Sequence, residues 1–313
     1  MALTVYIPTL RAGERLARTL SALEEQEGRP EVVIADNSPD GAGAKLARER
    51  FPWVRSVRFG ENLGFGKALN RAIRAEPGDP IVLLNDDVTV EPGFCESLRE
   101  ASRTGVEMAA AVLLGERDPT RIDSAGVIAD QTLLGFDYLN GEPVAALETA
   151  PDPLGPTGGA ALFRREAFEA VGGFDERMFL YYEDLDLVLR LRANGARCKL
   201  VPSARGIHAY SETMGARSAA KYEMTGWSRG YMLRVYGLFQ SPLLFSRALL
   251  AELAICLGQA LSERTLAGAG GRLRGWHAGR RVARRTPPVE DLSSMSLGDA
   301  LRTRRRRHRF GAG

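Results

Sequence analysis

The chain has 313 residues, 44% hydrophobic and 26% charged, a globular composition that excludes a disordered or fibrous protein. Its three cysteines, Cys95, Cys198 and Cys256, are far apart with no CxxC, and there are only three histidines. These numbers argue against a disulfide framework, a thiolate zinc site and a His-rich metal site. The net charge of +3 is uneven, because residues 272–309 hold 12 Arg and no Lys against Glu290, Asp291 and Asp299. A tail of +9 on a body of −6 points to an anionic partner for the tail, phospholipid or nucleic acid.

The start, MALTVYIPTL, lacks a basic stretch followed by a long apolar core, so no signal peptide is expected and a cytoplasmic location is the default. Residues 3–7 are a short apolar run ended by Pro8-Thr9 and read as a buried strand. A helix over 14–26 follows, with Leu16, Leu20 and Leu23 on one face. Residues 31–35 (EVVIA) form a second strand, stopped by Asp36-Asn37-Ser38-Pro39-Asp40-Gly41. A helix over 42–50, a strand over 54–59, a glycine-containing loop over 61–66 and a helix over 67–75 come next. The apolar strand at 81–84 runs directly into Asn85-Asp86-Asp87. Strands alternating with helices imply right-handed crossovers and a parallel sheet covered on both faces. Ligands of such sheets bind beyond the carboxyl ends of the strands. Asp36-Asn37, Asn62 and Asn85-Asp86-Asp87 are therefore expected to converge.

Neither GxGxxG after the first strand nor GxxxxGK[ST] occurs, which weighs against a dinucleotide oxidoreductase and a P-loop phosphotransferase. Asp36 is either the first residue of an Asx-turn or a carboxylate facing a base or ribose. Asn85-Asp86-Asp87 either caps a strand or supplies oxygen ligands to Mg²⁺ or Mn²⁺, which bind through one or two carboxylates plus substrate phosphates.

A strand over 106–113, a softer region over 121–138 able to form a hairpin, and a proline-rich loop over 149–156 follow. Residues 157–163, with Gly158 and Gly159, make a small-residue strand that leaves room for a ligand or for close backbone packing, and 164–171 a helix. Residues 179–195, FLYYEDLDLVLRLRANG, read as a helix behind an aromatic run that includes Tyr181 and Tyr182. Glu183, Asp184 and Asp186 fall in its first turn, where the helix dipole favours negative charge, and Asp186 is spaced to pair with Arg190. Adjacent Glu183 and Asp184 repel, which tends to raise one pKa and suits a base. Residues 198–201 form a closing strand, with His208 shortly after.

The segments VYIPTL, VVIADNSPDG, ENLGFGKALN, VLLNDDVTVEPGF, GGAALFRREAFEAVGGFDERMFLYYEDLDLVLRLRANG and VPSARGIH, in that order over residues 3–208, resemble family 2 glycosyltransferases. Within that family they resemble the rhamnosyltransferase-like branch of bacterial polysaccharide assembly. The resemblance implies a GT-A fold, an α/β, Rossmann-like, mostly parallel sheet flanked by helices. It implies an inverting transfer from a nucleotide-sugar donor, dTDP-rhamnose or a UDP- or GDP-hexose, to a glycan or lipid-linked acceptor in cell-envelope synthesis. On this pattern Asp36 holds the base or ribose, and Pro8, Thr9, Asn37, Asn62, Gly64, Lys67, Asn85 and Asp86 complete the donor site. Asp87 corresponds to the acid of a DxD-like motif, here NDD, that binds Mg²⁺ or Mn²⁺, and His208 can complete that site. Asp184 is the implied base, with Glu183 orienting an acceptor that lies against Gly158, Gly159, Tyr181 and Tyr182. The alternatives are a sugar-1-phosphate nucleotidyltransferase, poorly matched by the loop after the first strand, and a catalytically silent nucleotide-sugar-binding scaffold.

A division at residues 1–225 and 226–313 is expected, the second part a helical, Arg-rich extension. Residues 242–261 are about one bilayer span long, but Arg247 and Glu252 interrupt them. An amphipathic helix on an anionic membrane surface, or in a homodimer, is the better reading, with the arginines at 304–307 meeting headgroups. Membrane contact is favoured over nucleic acid, at the inner face of the plasma membrane.

Overall fold

The computed structural model describes residues 3–209, 218–238, 241–300 and 302–303; the contiguous arginines at 304–307 lie outside the described residues. Strands β1 (Thr4–Thr9), β2 (Glu31–Asp36), β3 (Arg55–Arg58) and β4 (Ile81–Leu84) alternate with helices α1 (Glu14–Glu24), α2 (Ala42–Arg50) and α3 (Phe65–Ala75). Then come β5 (Val88–Val90), α4 (Phe94–Arg103), β6 (Met108–Gly115), β7 (Asp118–Ser124), β8 (Val127–Ala129) and β9 (Gly135–Asp137). β10 (Ala160–Phe163), α5 (Arg165–Ala170), α6 (Glu183–Ala193) and β11 (Cys198–His208) complete the sheet region, followed by α7 (Ala219–Val235), α8 (Pro242–Ser262) and α9 (Ala267–Ala278).

The main sheet has the order β3-β2-β1-β4-β10-β6-β11-β5, with β7 paired to β6. The first half is parallel, as the alternating pattern requires. β10 runs antiparallel to both β4 and β6, and β5 antiparallel to β11, so the sheet is mixed rather than mostly parallel. The cause is the long excursion between β6 and β10, which brings the chain back from the opposite end. Strand side chains alternate between two cores, one on each face. Val5, Ile7, Val82 and Leu84 pack with Leu16, Leu20 and Phe94 on one side. Tyr6, Val33, Leu83 and Ala110 pack with Leu69, Leu187 and Tyr231 on the other.

β11 is longer than the four residues expected, because a register shift between Leu200 and Arg205 interrupts the pattern and the strand then resumes to His208. The expected boundary at 225/226 falls inside α7, and Tyr231, Met232 and Val235 of that helix belong to the same core as α6. α9 lies directly on α7. A Cβ on Gly230 would sit 2.0 Å from the Arg272 carbonyl and one on Gly275 1.8 Å from the Trp227 carbonyl, so only glycine permits this approach.

A second tie joins this region to α6. Asp186, fully buried, accepts from Arg190 Nε at 2.8 Å, the anticipated i,i+4 pair. It also accepts from the Tyr236 hydroxyl at 3.0 Å and from Arg285. Arg285 reaches Asp175 as well, at 2.5 Å, and the Tyr231 hydroxyl donates to the same carboxylate at 2.6 Å. Burial alone would raise the Asp175 pKa, but the bonds from Tyr231 and Arg285 outweigh it and lower it to about 2.

Candidate active site

The site forms where β1, β2, β4, β10 and β11 reach one edge of the sheet. Asn37, just past β2, ties two loops together. Its Oδ1 accepts from the Leu63 N–H at 2.8 Å, and its Nδ2 donates to Asn62 Oδ1 at 3.1 Å and to the Gly64 carbonyl at 3.0 Å. Gly64 has φ +82°, and a Cβ there would stand 2.4 Å from the Phe179 carbonyl. That same carbonyl accepts from the Phe65 N–H at 2.9 Å, so the 62–66 loop is clasped to the aromatic run before α6. Lys67 lies half-buried in the first turn of α3.

Asp36 is fully buried and shapes its own loop. Its Oδ1 accepts from the Ser38 N–H and hydroxyl at 3.0 and 2.5 Å, and its Oδ2 from the Ala44 N–H at 2.8 Å. Of the two readings left open for Asp36, this geometry is that of the turn residue.

The Asn85–Asp87 loop splits its acids. The Thr9 hydroxyl donates to Asp86 Oδ2 at 2.6 Å, and Thr19 to the Asp86 carbonyl at 3.1 Å. Asp86 and Thr9 are thus bonded to each other at this edge. Burial raises the Asp86 carboxyl to about 6, against the Thr9 bond and with help from the Asp87 charge. Asp87, also buried, faces His208: Nε2 lies 3.3 Å from Asp87 Oδ1. The other imidazole nitrogen, Nδ1, is 2.7 Å from Asp123 Oδ2 on β7. Burial lowers the imidazole pKa, but the hydrogen bonds and charges of Asp123 and Asp87 prevail and carry it to about 10. Asp123 was not anticipated; it sits in the soft 121–138 region, where nothing local distinguishes it from a surface acid.

Two hydrogen bonds join this loop to α6. The Asn85 N–H donates to the Gly159 carbonyl at 3.0 Å, and the Gly158 N–H donates to Asp184 Oδ2 at 3.2 Å. Asp184 Oδ1 accepts from the Leu185 N–H at 2.7 Å. Both oxygens are therefore oriented by backbone donors. Ahead of the helix, Tyr181 and Tyr182 hold φ of +70° and +68°, a left-handed conformation costly for aromatic residues and concentrated at functional sites. Glu183 departs from its expected part: it is buried, and its Oε2 has no hydrogen-bond partner among the described residues. Burial first, then the Asp184 charge, raises its carboxyl to about 8, so it is neutral at pH 7.

Asp87 and His208 fit a divalent ion as a carboxylate–imidazole pair of the kind that substrate phosphates complete. Asp123 on Nδ1 would then be the outer carboxylate that fixes a ligand histidine's ring, with the imidazole giving up its Nε2 proton when an ion binds. Among the described residues no group of three or more His, Cys, Asp or Glu converges as a full protein cage.

The model for Glycosyl transferase family 2 matches residues 4–172, and that for Glycosyl transferase family group 2 matches 135–266. The chain belongs to glycosyl transferase family 2. This family 2 chain is 33% identical over 243 residues to the N-acetylglucosaminyl-diphospho-decaprenol L-rhamnosyltransferase of Mycobacterium tuberculosis, covering 70% of this chain and 79% of the relative. Among solved structures, the mannosyltransferase PcManGT from Pyrobaculum calidifontis, in complex with GDP-Man and Mn²⁺, covers 98% of this chain and 80% of its own, at TM-score 0.53 and 19% identity. GalNAc-T7 with UDP, GalNAc and Mn²⁺ gives TM-score 0.57 at 15% identity over 76% of this chain, which spans about half (51%) of that one. These two likenesses are likenesses of fold, and the fold is GT-A. The family 2 assignment makes the protein a glycosyltransferase.

Proposed function

We propose that this glycosyltransferase moves a rhamnosyl or related hexosyl group from a nucleoside-diphosphate donor to a hydroxyl of a glycan carried on a polyprenyl diphosphate, inverting the anomeric carbon. The supporting observation is the pair of hydrogen bonds that set Asp184 one peptide away from the Asn85–Asp87 loop. The name of the mycobacterial relative supports the lipid-linked acceptor and the cell-envelope setting.

Asp184 takes the proton of the acceptor hydroxyl while that oxygen attacks the anomeric carbon, opposite the departing diphosphate. The Gly158 and Leu185 N–H groups hold the carboxylate in place, so little ordering is left to the transition state. Glu183 stays protonated beneath it and adds no second charge. Asn37 keeps the 62–66 loop in the shape that receives the nucleoside, and Gly64 lets that backbone approach closely. Asp87 and His208 would hold Mg²⁺ or Mn²⁺, which when bound neutralises charge developing on the diphosphate. Asp123 orients His208 for that role.

The deciding experiment incubates the full chain with dTDP-rhamnose, UDP- and GDP-sugars and a polyprenyl-diphosphate N-acetylglucosamine, with EDTA or Mn²⁺. Transfer that needs the ion and yields, by NMR, the anomer opposite to the donor's is the expected result. Retention of configuration, or equal transfer in EDTA, overturns the mechanism.

A further inference from the structure

α8 is built inside out. Its two charged residues face the body of the protein. Glu252 is buried and accepts from Arg229 Nε and Arg272 Nε, both at 2.5 Å. Arg229, itself fully buried, donates onward to the carbonyls of Leu133 and Thr132 at 2.6 Å each. Burial favours the neutral acid, but the charges of Arg229 and Arg272 outweigh it and hold the Glu252 carboxyl below its usual range. Arg247 bonds Asp130 at 3.2 Å and also the Met295 carbonyl. Ala248, Ala251, Ile255 and Gln259 complete this inward stripe.

The outward face carries no charge. Leu243, Leu250, Leu253, Leu257 and Leu261 are 77%, 57%, 50%, 59% and 82% exposed, with Phe245 and Leu249 beside them. Surface helices of globular proteins show the reverse arrangement, and a contiguous apolar face of this size marks an interaction surface. By length and composition α8 could also cross a bilayer. Crossing would strip Glu252 from two arginines and Arg247 from Asp130, so the helix stays on the protein.

Charge decides what covers the face. Ala300, which precedes the arginine run in sequence, packs with Ala251 and Ile255 of this helix in one small core, next to the Arg247–Met295 bond. Arg302 and the sequence arginines at 304–307 follow directly. Arg264 stands exposed at the other end of α8, one residue past its C-cap. Two copies joined through this face would bring like charge together, whereas an anionic bilayer offers apolar depth and opposite charge at once.

We infer that α8 is a monotopic membrane dock: its leucine face enters the interface of an anionic bilayer while its charged face stays locked to the enzyme. This goes beyond the proposed reaction and is independent of which sugar is moved. The test is sedimentation of the full chain with phosphatidylcholine vesicles and with 70:30 phosphatidylcholine/phosphatidylglycerol vesicles, without donor or acceptor. Wild-type protein should pellet with the anionic vesicles, and L250Q/L253Q/L257Q should bind them at least about tenfold more weakly, since three leucines lose their apolar burial at the interface. Circular dichroism and melting of the triple variant, whose changes are all outward, should match wild type. Equal pelleting of both proteins overturns the inference. So does a wild-type dimer in analytical ultracentrifugation that the triple variant dissolves while neither protein binds vesicles, because the face then belongs to a second copy.

Discussion

At the carboxyl edge of the sheet, polar side chains crown an apolar base, and nearly every one of them is held by a neighbour: Asn37 by Leu63 and Gly64, Asp184 by Gly158, His208 by Asp87 and Asp123. On α8 the order is inverted, with ion pairs inside and leucines facing out. Both regions bury charge only with partners, as the cost of desolvation demands. They differ in what is left over. The edge leaves oriented oxygens for chemistry, whereas α8 leaves apolar surface for contact. A protein can therefore separate the group that reacts from the face that brings it to its substrate.

Four substitutions test that separation. Asp184→Asn should lower kcat by about 10²–10⁴-fold, the usual worth of a positioned base, with melting unchanged; near wild-type turnover would move the chemistry elsewhere. Arg285→Ala asks whether the regions are energetically one unit. It leaves Asp175 and Asp186 without their shared cation, and equilibrium denaturation should show a loss of about 3–5 kcal/mol; a loss under 1 kcal/mol would make the clasp incidental.

Asp123→Asn should weaken Mn²⁺ binding about 10–100-fold by titration calorimetry, as removal of an outer carboxylate does, without changing vesicle binding. The last substitution is Glu183→Gln. The wild-type carboxyl titrates at about 8 when folded against an ordinary 4.5. The folded state therefore holds the extra proton, and stability contributed by this group is full below about 4.5 and lost as pH rises through about 8. The variant cannot lose it, so its Tm should gain on wild type between pH 6 and pH 9; a constant gap would show that Glu183 does not titrate as described.

Much of the edge was legible from local sequence. Apolar strands that run straight into Asp36 or Asn85 announce themselves because burial and backbone pairing act over a few residues. Direction in the sheet did not, since β10 carries the same small-residue pattern whether it runs parallel or antiparallel. Glu183 and Asp184 look alike in sequence; which one is buried and which one meets Gly158 follows from the left-handed turn at Tyr181 and Tyr182, which nothing in an aromatic pair foretells. Asp123 and Arg285 were invisible for a related reason. Each is an ordinary charged residue whose partner is far off in the chain, 85 residues for Asp123 to His208 and 99 for Arg285 to Asp186. On α8, Arg247 and Glu252 read as interruptions of an apolar run, although with 248, 251, 255 and 259 they form one inward stripe.

The arginine clasp on α6 also orders events in time. Asp175 and Asp186 are synthesised about a hundred residues before Arg285, the cation that neutralises both. Before Arg285 is made, Asp186 on the helix that bears Asp184 has Arg190, and Asp175 ahead of that helix has Arg177, but no cation joins the two. In this way a residue made about a hundred positions later steadies the helix that bears Asp184.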